Sequence, residues 1–436
     1  MTRVADFAVA ARRSRELAAR ERWTRERLEG FQRDRFDALV QHARAHSPFY
    51  RDWSGEPLEK ATMMERFDEI VTDPRLRRDA LLAHVEGIDG DELYLGRYRA
   101  MTTSGSSGRK GLFVYDRPEW VAILAQFLRF NALAGIRPRL PRRLRIAAVV
   151  SPAGTHMSRR VAQSLSVGVH RVLRVPVTMP IDELVARLNQ FQPQSLNAFP
   201  SMAALLAEEQ RAGRLRITPE LVSTSSELLT PETADRIEQA FGVRPFNLYA
   251  TTEGLWGADC AEHAGIHLFE DMTLVENVDE RGRSVPDGRT GAQLLVTNLS
   301  NFTQPLIRLA IADSVTIVPE PCACGRTLRR IASIAGRSDD VLTLAGIRVL
   351  PLQFGVIARD RDVIEFQIEQ TGAAAVRVLV VSRGEIQDRL RAALTSRLLE
   401  LGVPEPVVEI ERRTALPRPA SGKLQLVKGL DTEPCT

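Results

Sequence analysis

Thr102-Thr103-Ser104-Gly105-Ser106-Ser107-Gly108-Arg109-Lys110-Gly111 is the stretch on which the reading of this chain turns. Its glycines let backbone approach an anion closely, and its hydroxyls and N–H groups suit phosphate oxygens. Arg109 and Lys110 add neutralising charge. The spacing is not the nucleotide loop GxxxxGK[ST], since no Ser or Thr follows Lys110, and it is not the dinucleotide GxGxxG. Alone, the run fits an exposed Gly/Ser turn equally well. The lysines add weight to the anion reading. Of 59 basic residues only four are lysine: Lys60, Lys110, Lys423 and Lys428. A lysine surviving among so many arginines offers a compact, flexible point charge in place of a planar fork. Lys110 closes the first run and Lys423 closes Ser421-Gly422-Lys423, whereas Lys60 and Lys428 fall in no motif.

Outward from this loop the chain reads as α/β. Arg143 to Val150 passes from charge into an apolar run, which suggests a buried strand, and short apolar runs recur at 195–199, 291–297 and 376–381. Helical patterns at 181–191 and 231–241 intervene, and strands alternating with helices define that class. Residues 1–50 read as helical with a solvated charged face. At 436 residues more than one core is expected, and the polar run Gly336-Arg337-Ser338-Asp339-Asp340 marks a junction. The residues predict an α/β domain over 1–337 and a small α/β unit over 338–436. Net charge is +4 with no concentrated basic block, so no nucleic-acid partner is expected. No stretch of 18 apolar residues suggests a membrane span, and the charged N-terminus does not read as a signal peptide. Four cysteines in such a length make no disulfide framework, and a reducing cytoplasm is the expected location.

Five motifs in order resemble those of the adenylate-forming enzymes, the acyl-CoA synthetase superfamily. The Ser/Thr/Gly loop is similar to its phosphate-binding loop. Tyr249-Ala250-Thr251-Thr252-Glu253 resembles Y-G-x-T-E, with Ala250 in place of glycine. Leu306-Ile307-Arg308 with Asp313 resembles the segment ending in the ribose-binding aspartate, 336–340 the interdomain hinge, and Pro417 to Lys423 the motif with the catalytic lysine. The Cys-x-Cys-Gly-Arg-Thr run, the 336–351 segment and Ser47-Pro48-Phe49-Tyr50 look most like the phenylacetate–CoA ligase-like branch.

The resemblance implies a large multi-sheet N-terminal domain over 1–337 and a small mobile α+β C-terminal domain over 338–436. It also implies roles. Thr103, Ser104, Gly105, Ser106, Ser107, Gly108 and Lys110 would hold the β- and γ-phosphates of ATP, and Thr252 the α-phosphate. Glu253 would hold Mg²⁺, a hard cation suited to carboxylate and phosphate oxygens. Tyr249 and Asp313 would face the nucleoside, Asp313 accepting the ribose hydroxyls, with Arg337 reinforcing the ribose or phosphate contact. Ser226 and Glu227 occupy the place of the adenine-packing turn, here with Leu228 where the family has proline. Phe199 falls in the segment lining the acyl pocket. His156, in a loop after the expected 143–150 strand, is a second substrate-site candidate. Lys423 would act during adenylation and be withdrawn by rotation about Asp339 for thioester formation.

The cysteines carry a separate argument. Cys260 precedes His263 and His267 closely, and Cys322-Ala323-Cys324-Gly325 follows some sixty residues later. Three thiolates and one imidazole complete a closed tetrahedral zinc site of structural type. His267 is the favoured ligand, at the start of an apolar strand, with His263 the alternative from its compact Cys-x₂-His spacing. Cys435 takes no part.

The function implied by the resemblance is ATP-dependent activation of a small, aromatic carboxylic acid to an acyl-adenylate, followed by transfer to coenzyme A. Two alternatives stand beside it: transfer to the phosphopantetheine of an acyl carrier protein (or adenylyl transfer to another acceptor), and a non-catalytic zinc-stabilised binding protein. A homodimer fits the resembled branch.

Overall fold

The computed structural model describes residues 2–88, 90–103, 111–136, 143–152, 157–337, 340–419 and 421–430. Its centre is a mixed nine-stranded sheet. Five neighbouring strands run parallel in the order Arg171–Pro176, Arg145–Val150, Ser195–Ala198, Leu221–Ser225, Phe246–Ala250. Helices Met157–Ser164, Ile181–Phe191, Pro200–Arg211 and Pro231–Phe241 connect them, as crossover connections between parallel strands require. The apolar positions of these helices close the core. Leu184, Val185 and Leu188 recur at helical spacing and pack with Ala147, Val149 and Leu196 from the strands. Beyond Phe246–Ala250 the sheet turns antiparallel through Trp256–Ala258, Ile266–Leu268, Arg330–Arg337 and Asp313–Val318.

Local chemistry ends these elements where the sequence signals stand. Thr230 caps the helix Pro231–Phe241, accepting from the Thr233 N–H at 3.2 Å, and Gly242 closes it at φ +74°. The expected strand at 195–199 ends one residue early because Phe199 becomes the N-cap of the helix begun by Pro200. The helical N-terminus resolves into Thr2–Arg20 and Arg25–His46, followed by the short turn Pro48–Tyr50. A further three-stranded antiparallel sheet joins Thr273–Val278, Gln293–Asn298 and Leu309–Ile311, and the hairpin Arg99–Thr102/Leu112–Tyr115 flanks the Ser/Thr/Gly loop.

The last hundred residues bury a core of their own. Leu342, Val363, Ile368, Val376, Val378, Leu390, Leu394 and Val427 belong to one apolar cluster with no member before Leu342. Its sheet runs Val407–Arg412, Ala375–Ser382, Val363–Gln370, Val427–Lys428, with helix Gln387–Glu400 packed against it. Arg236 reaches across from helix Pro231–Phe241 and donates to the carbonyls of Val363 (2.5 Å), Ala358 (2.6 Å) and Asp360 (3.2 Å). Arg383 pairs with Glu208 and Arg359 with Glu232 along the same border.

Candidate functional site

The carboxyl ends of the parallel strands carry the candidate residues, where open α/β sheets bind ligands. Phe199 follows Ser195–Ala198, Ser226 and Glu227 follow Leu221–Ser225, and Thr252 and Glu253 follow Phe246–Ala250. The turn after Ala250 is tightly specified. The Thr251 N–H donates to the Leu255 carbonyl at 2.9 Å, and Tyr115 Oη–H donates to the Thr252 carbonyl at 2.6 Å. Gly254 has φ +105°, and a Cβ there would lie 2.0 Å from Asn298 Nδ2, so only glycine fits. That turn fixes the aim of Glu253.

Across the sheet Tyr249 donates its hydroxyl proton to Asp313 Oδ2, and Asp313 pairs in register with Arg337. Burial and the Asp313 carboxylate push the Tyr249 phenol well above its ordinary range, so it stays a donor. Lys423 joins this group from the C-terminal loop. Burial pulls its ammonium below the usual lysine range and Arg337 adds to that, while Glu227, Glu253 and Asp313 oppose it. One cation from the last motif thus lies among carboxylates from three earlier ones.

Lys60, which no motif flags, also enters the site. Its Nζ lies 3.4 Å from Glu253 Oε1 and 3.4 Å from Thr103 Oγ1. Thr103 in turn accepts the Gly111 N–H at 2.9 Å, and its own N–H donates to the Gly111 carbonyl at 3.0 Å, closing the base of the Ser/Thr/Gly loop. No local spacing announces this lysine, which precedes the loop and reaches it through the short helix Lys60–Glu65. Lys428 pairs with Glu369 at 3.3 Å, away from the cluster.

Glu227 makes contacts other than the adenine packing implied by its motif. Its carboxylate accepts the Ser201 N–H at 3.0 Å and the Leu424 N–H at 2.7 Å. Ser226, at φ +72°, is exposed at the turn. Phe199 is 6% exposed, with its ring packed among Ala198, Met202 and Leu206 in the sheet–helix core. Ser104, Gly105, Ser106, Ser107, Gly108, Lys110, His156 and Asp339 lie outside the described residues.

The cysteine cluster forms as a unit. Ligand atoms of Cys260, His267, Cys322 and Cys324 all lie within 4.8 Å of one another. Cys260 and Cys322 Sγ atoms are 3.8 Å apart, and Cys324 Sγ is 3.5 Å from His267 Nε2. The choice between histidines resolves to His267. His263 turns its Nδ1 to Asp259 Oδ2 at 2.6 Å and packs on Phe246. The Cys-x-Cys-Gly turn is closed by the Gly325 N–H on the Cys322 carbonyl at 2.9 Å, with Gly325 at φ +79°. Burial, with Arg326 and Arg330 nearby, pushes His267 down to about 4, which keeps the imidazole neutral as a ligand must be.

A mixed sheet with the motif residues at its parallel carboxyl ends, and a small C-terminal unit delivering a lysine to them, defines an adenylate-forming fold. No protein-family model matches the chain. It is 28% identical over 346 residues to the phenylacetate–coenzyme A ligase of Thermus thermophilus, covering 76% of this chain and 74% of that protein. It is 32% identical over 184 residues to the phenylacetate–coenzyme A ligase of Pseudomonas putida, covering 39% and 40%. Among solved structures, 2-hydroxyisobutyryl-CoA ligase in its postadenylation state superposes with TM-score 0.72 at 22% identity, covering 94% of this chain and 91% of that one. The same enzyme in its thioesterification state gives 0.58 at the same coverage and identity. The chain is thus similar in sequence to phenylacetate–CoA ligases and shares the fold of an acid–CoA ligase of the adenylate-forming kind.

Proposed function

We propose that the protein activates a small carboxylic acid with ATP and passes the acyl group to coenzyme A. A carboxylate oxygen attacks the α-phosphorus and pyrophosphate leaves; the thiol then attacks the acyl carbonyl and AMP leaves. The observation that carries this reading is the seating of the Lys423 loop at the carboxyl ends of the strands, through the Leu424 N–H on Glu227, in the electrostatic reach of Glu253, Asp313 and Arg337. Two anions must meet for the first step, and an ammonium between carboxylate and α-phosphate lowers the barrier by electrostatic preorganisation.

The residues divide the work. Residues 103–110 cradle the β- and γ-phosphates, and Thr252 donates to the α-phosphate. Asp313, oriented by the Tyr249 hydroxyl, accepts the ribose hydroxyls, and Arg337 supports it. Glu253 suits Mg²⁺, since its Oε1 already faces a cation, Lys60, at 3.4 Å. When bound, Mg²⁺ would neutralise phosphate charge. Ser226 lies at the adenine turn and His156 belongs to the acyl side, with Phe199 backing that side from the sheet–helix core. The relatives named for phenylacetate support an aromatic acid as substrate class.

Residues 1–337 and 338–436 act as two domains hinged at Asp339, a division supported by the separate core beginning at Leu342. The higher similarity to a postadenylation state than to a thioesterification state supports placing the lysine loop in its adenylation position. Cys260, His267, Cys322 and Cys324 would hold structural zinc, a donor set that fits the ion and leaves no position for substrate. Thiolates of that kind persist in a reducing cytoplasm. The test is Lys423→Ala: adenylation is lost while a synthetic acyl-adenylate still becomes thioester. Equal loss of both steps overturns the two-conformation account.

A further inference from the structure

We propose that Glu227 is the positioning residue that seats the Lys423 loop against the N-terminal unit, an inference resting on the adenylation role of Lys423. Its two carboxylate oxygens face opposite sides of the border. Oε2 accepts from the Ser201 N–H at 3.0 Å, in the first turn of helix Pro200–Arg211, where amides lack intrahelical partners and favour an anion. Oε1 accepts from the Leu424 N–H at 2.7 Å, the amide that directly follows Lys423. One side chain therefore ties the backbone at the lysine to a rigid helix end.

The rest of the loop is shaped for this docking. Gly422 has φ +74°, and a Cβ there would lie 1.9 Å from Val177 Cγ1, so the loop approaches Val177 only because residue 422 is glycine. Arg418 Nη1 donates to Ser201 Oγ at 3.0 Å and to the Gly422 carbonyl at 3.2 Å, and Nη2 pairs with the buried Glu365. Ser201 is thus a shared anchor, its N–H held by Glu227 and its hydroxyl by Arg418. The Glu227 charge also counters the cost of placing the Lys423 ammonium beside Arg337. When the lysine leaves, the Leu424 bond must break, so Glu227 acts in one half-reaction only.

The test compares Glu227→Ala, Glu227→Gln, Lys423→Ala and the Glu227→Ala/Lys423→Ala double variant in both half-reactions. Adenylation is read as ATP–pyrophosphate exchange, and transfer as thioester formation from a synthetic acyl-adenylate. A charge-assisted bond lost from the docked loop lowers adenylation by about 10- to 100-fold in Glu227→Ala. Glu227→Gln, which keeps one acceptor, loses less. Transfer stays at the unsubstituted rate, which also reports a folded protein. In the Lys423→Ala background, Glu227→Ala lowers adenylation no further. Unchanged adenylation in Glu227→Ala, equal loss of both half-reactions, or an additive double variant each overturns the proposal. Unimpaired adenylation in Lys423→Ala overturns the underlying role of the lysine instead.

Discussion

Replacing Arg129 with Met removes the centre of a buried ionic cluster joining the N-terminal helices to the segment beside the cysteine–histidine cluster. Arg129 is fully buried in helix Arg117–Leu133. Its Nε donates to Glu21 Oε1 at 2.6 Å, its Nη1 to Asp271 Oδ1 at 2.8 Å, and its guanidinium lies 4.1 Å from the centre of the Phe269 ring. The two carboxylates would be stranded unequally. Glu21 keeps Arg326 at 2.5 Å, whereas Asp271, whose side chain is fully buried, keeps among the described residues Arg20 at 3.8 Å and the weaker field of Arg13. Breaking a buried pair costs about 3–5 kcal/mol, chiefly from the charge left behind. With one carboxylate still partnered, the lower end, about 3 kcal/mol, is expected. Urea unfolding followed by tryptophan fluorescence measures this directly, because all four tryptophans (Trp23, Trp53, Trp120 and Trp256) precede residue 257 and report the N-terminal unit. For a slope of about 3 kcal/mol/M the midpoint falls by roughly 1 M. Adding Asp271→Asn to Arg129→Met should restore about half the loss, since the stranded charge is then gone. A loss under about 1 kcal/mol, or a further drop on adding Asp271→Asn, refutes the reasoning.

Two other substitutions probe the site and its support. Lys60→Ala should raise KM for ATP about 10-fold with a smaller change in kcat, the loss expected for one partly exposed cation facing phosphate; an unchanged KM in steady-state kinetics would remove Lys60 from the nucleotide site. Cys322→Ser should lower zinc, measured by elemental analysis of protein purified without chelator, from one equivalent per chain to well below it. Substoichiometric zinc in the unsubstituted protein would contradict the closed-site assignment.

Much of the site was legible because its residues sit beside local signals. Tyr249 to Glu253 form a turn whose geometry needs Gly254, and the cysteines of 322–324 occupy a single closed turn. Strand and helix positions followed from apolar runs whose boundaries moved by one or two residues, as where Pro200 recruited Phe199 into a cap. What escaped depends on distant segments meeting. Lys60 reaches Thr103 and Glu253 across 43 and 193 residues, and no spacing rule encodes that approach. Glu227 sits where an adenine turn was expected, yet its bonding is set by Leu424, 197 residues later. Local spacing also left His263 open as a ligand, because only the strand pairing of Ile266–Leu268 with Arg330–Arg337 shows which imidazole meets Cys324.

The central claim, acid activation by ATP followed by transfer to CoA, is tested most directly by pyrophosphate release. The unsubstituted protein is given Mg-ATP and a panel of aryl, arylacetic and short aliphatic acids, with and without CoA, and thioesters are identified by mass. The account predicts release that depends on at least one acid, with a matching acyl-CoA formed only when CoA is present. Folded, zinc-loaded protein that releases no more pyrophosphate with any acid than without would contradict it.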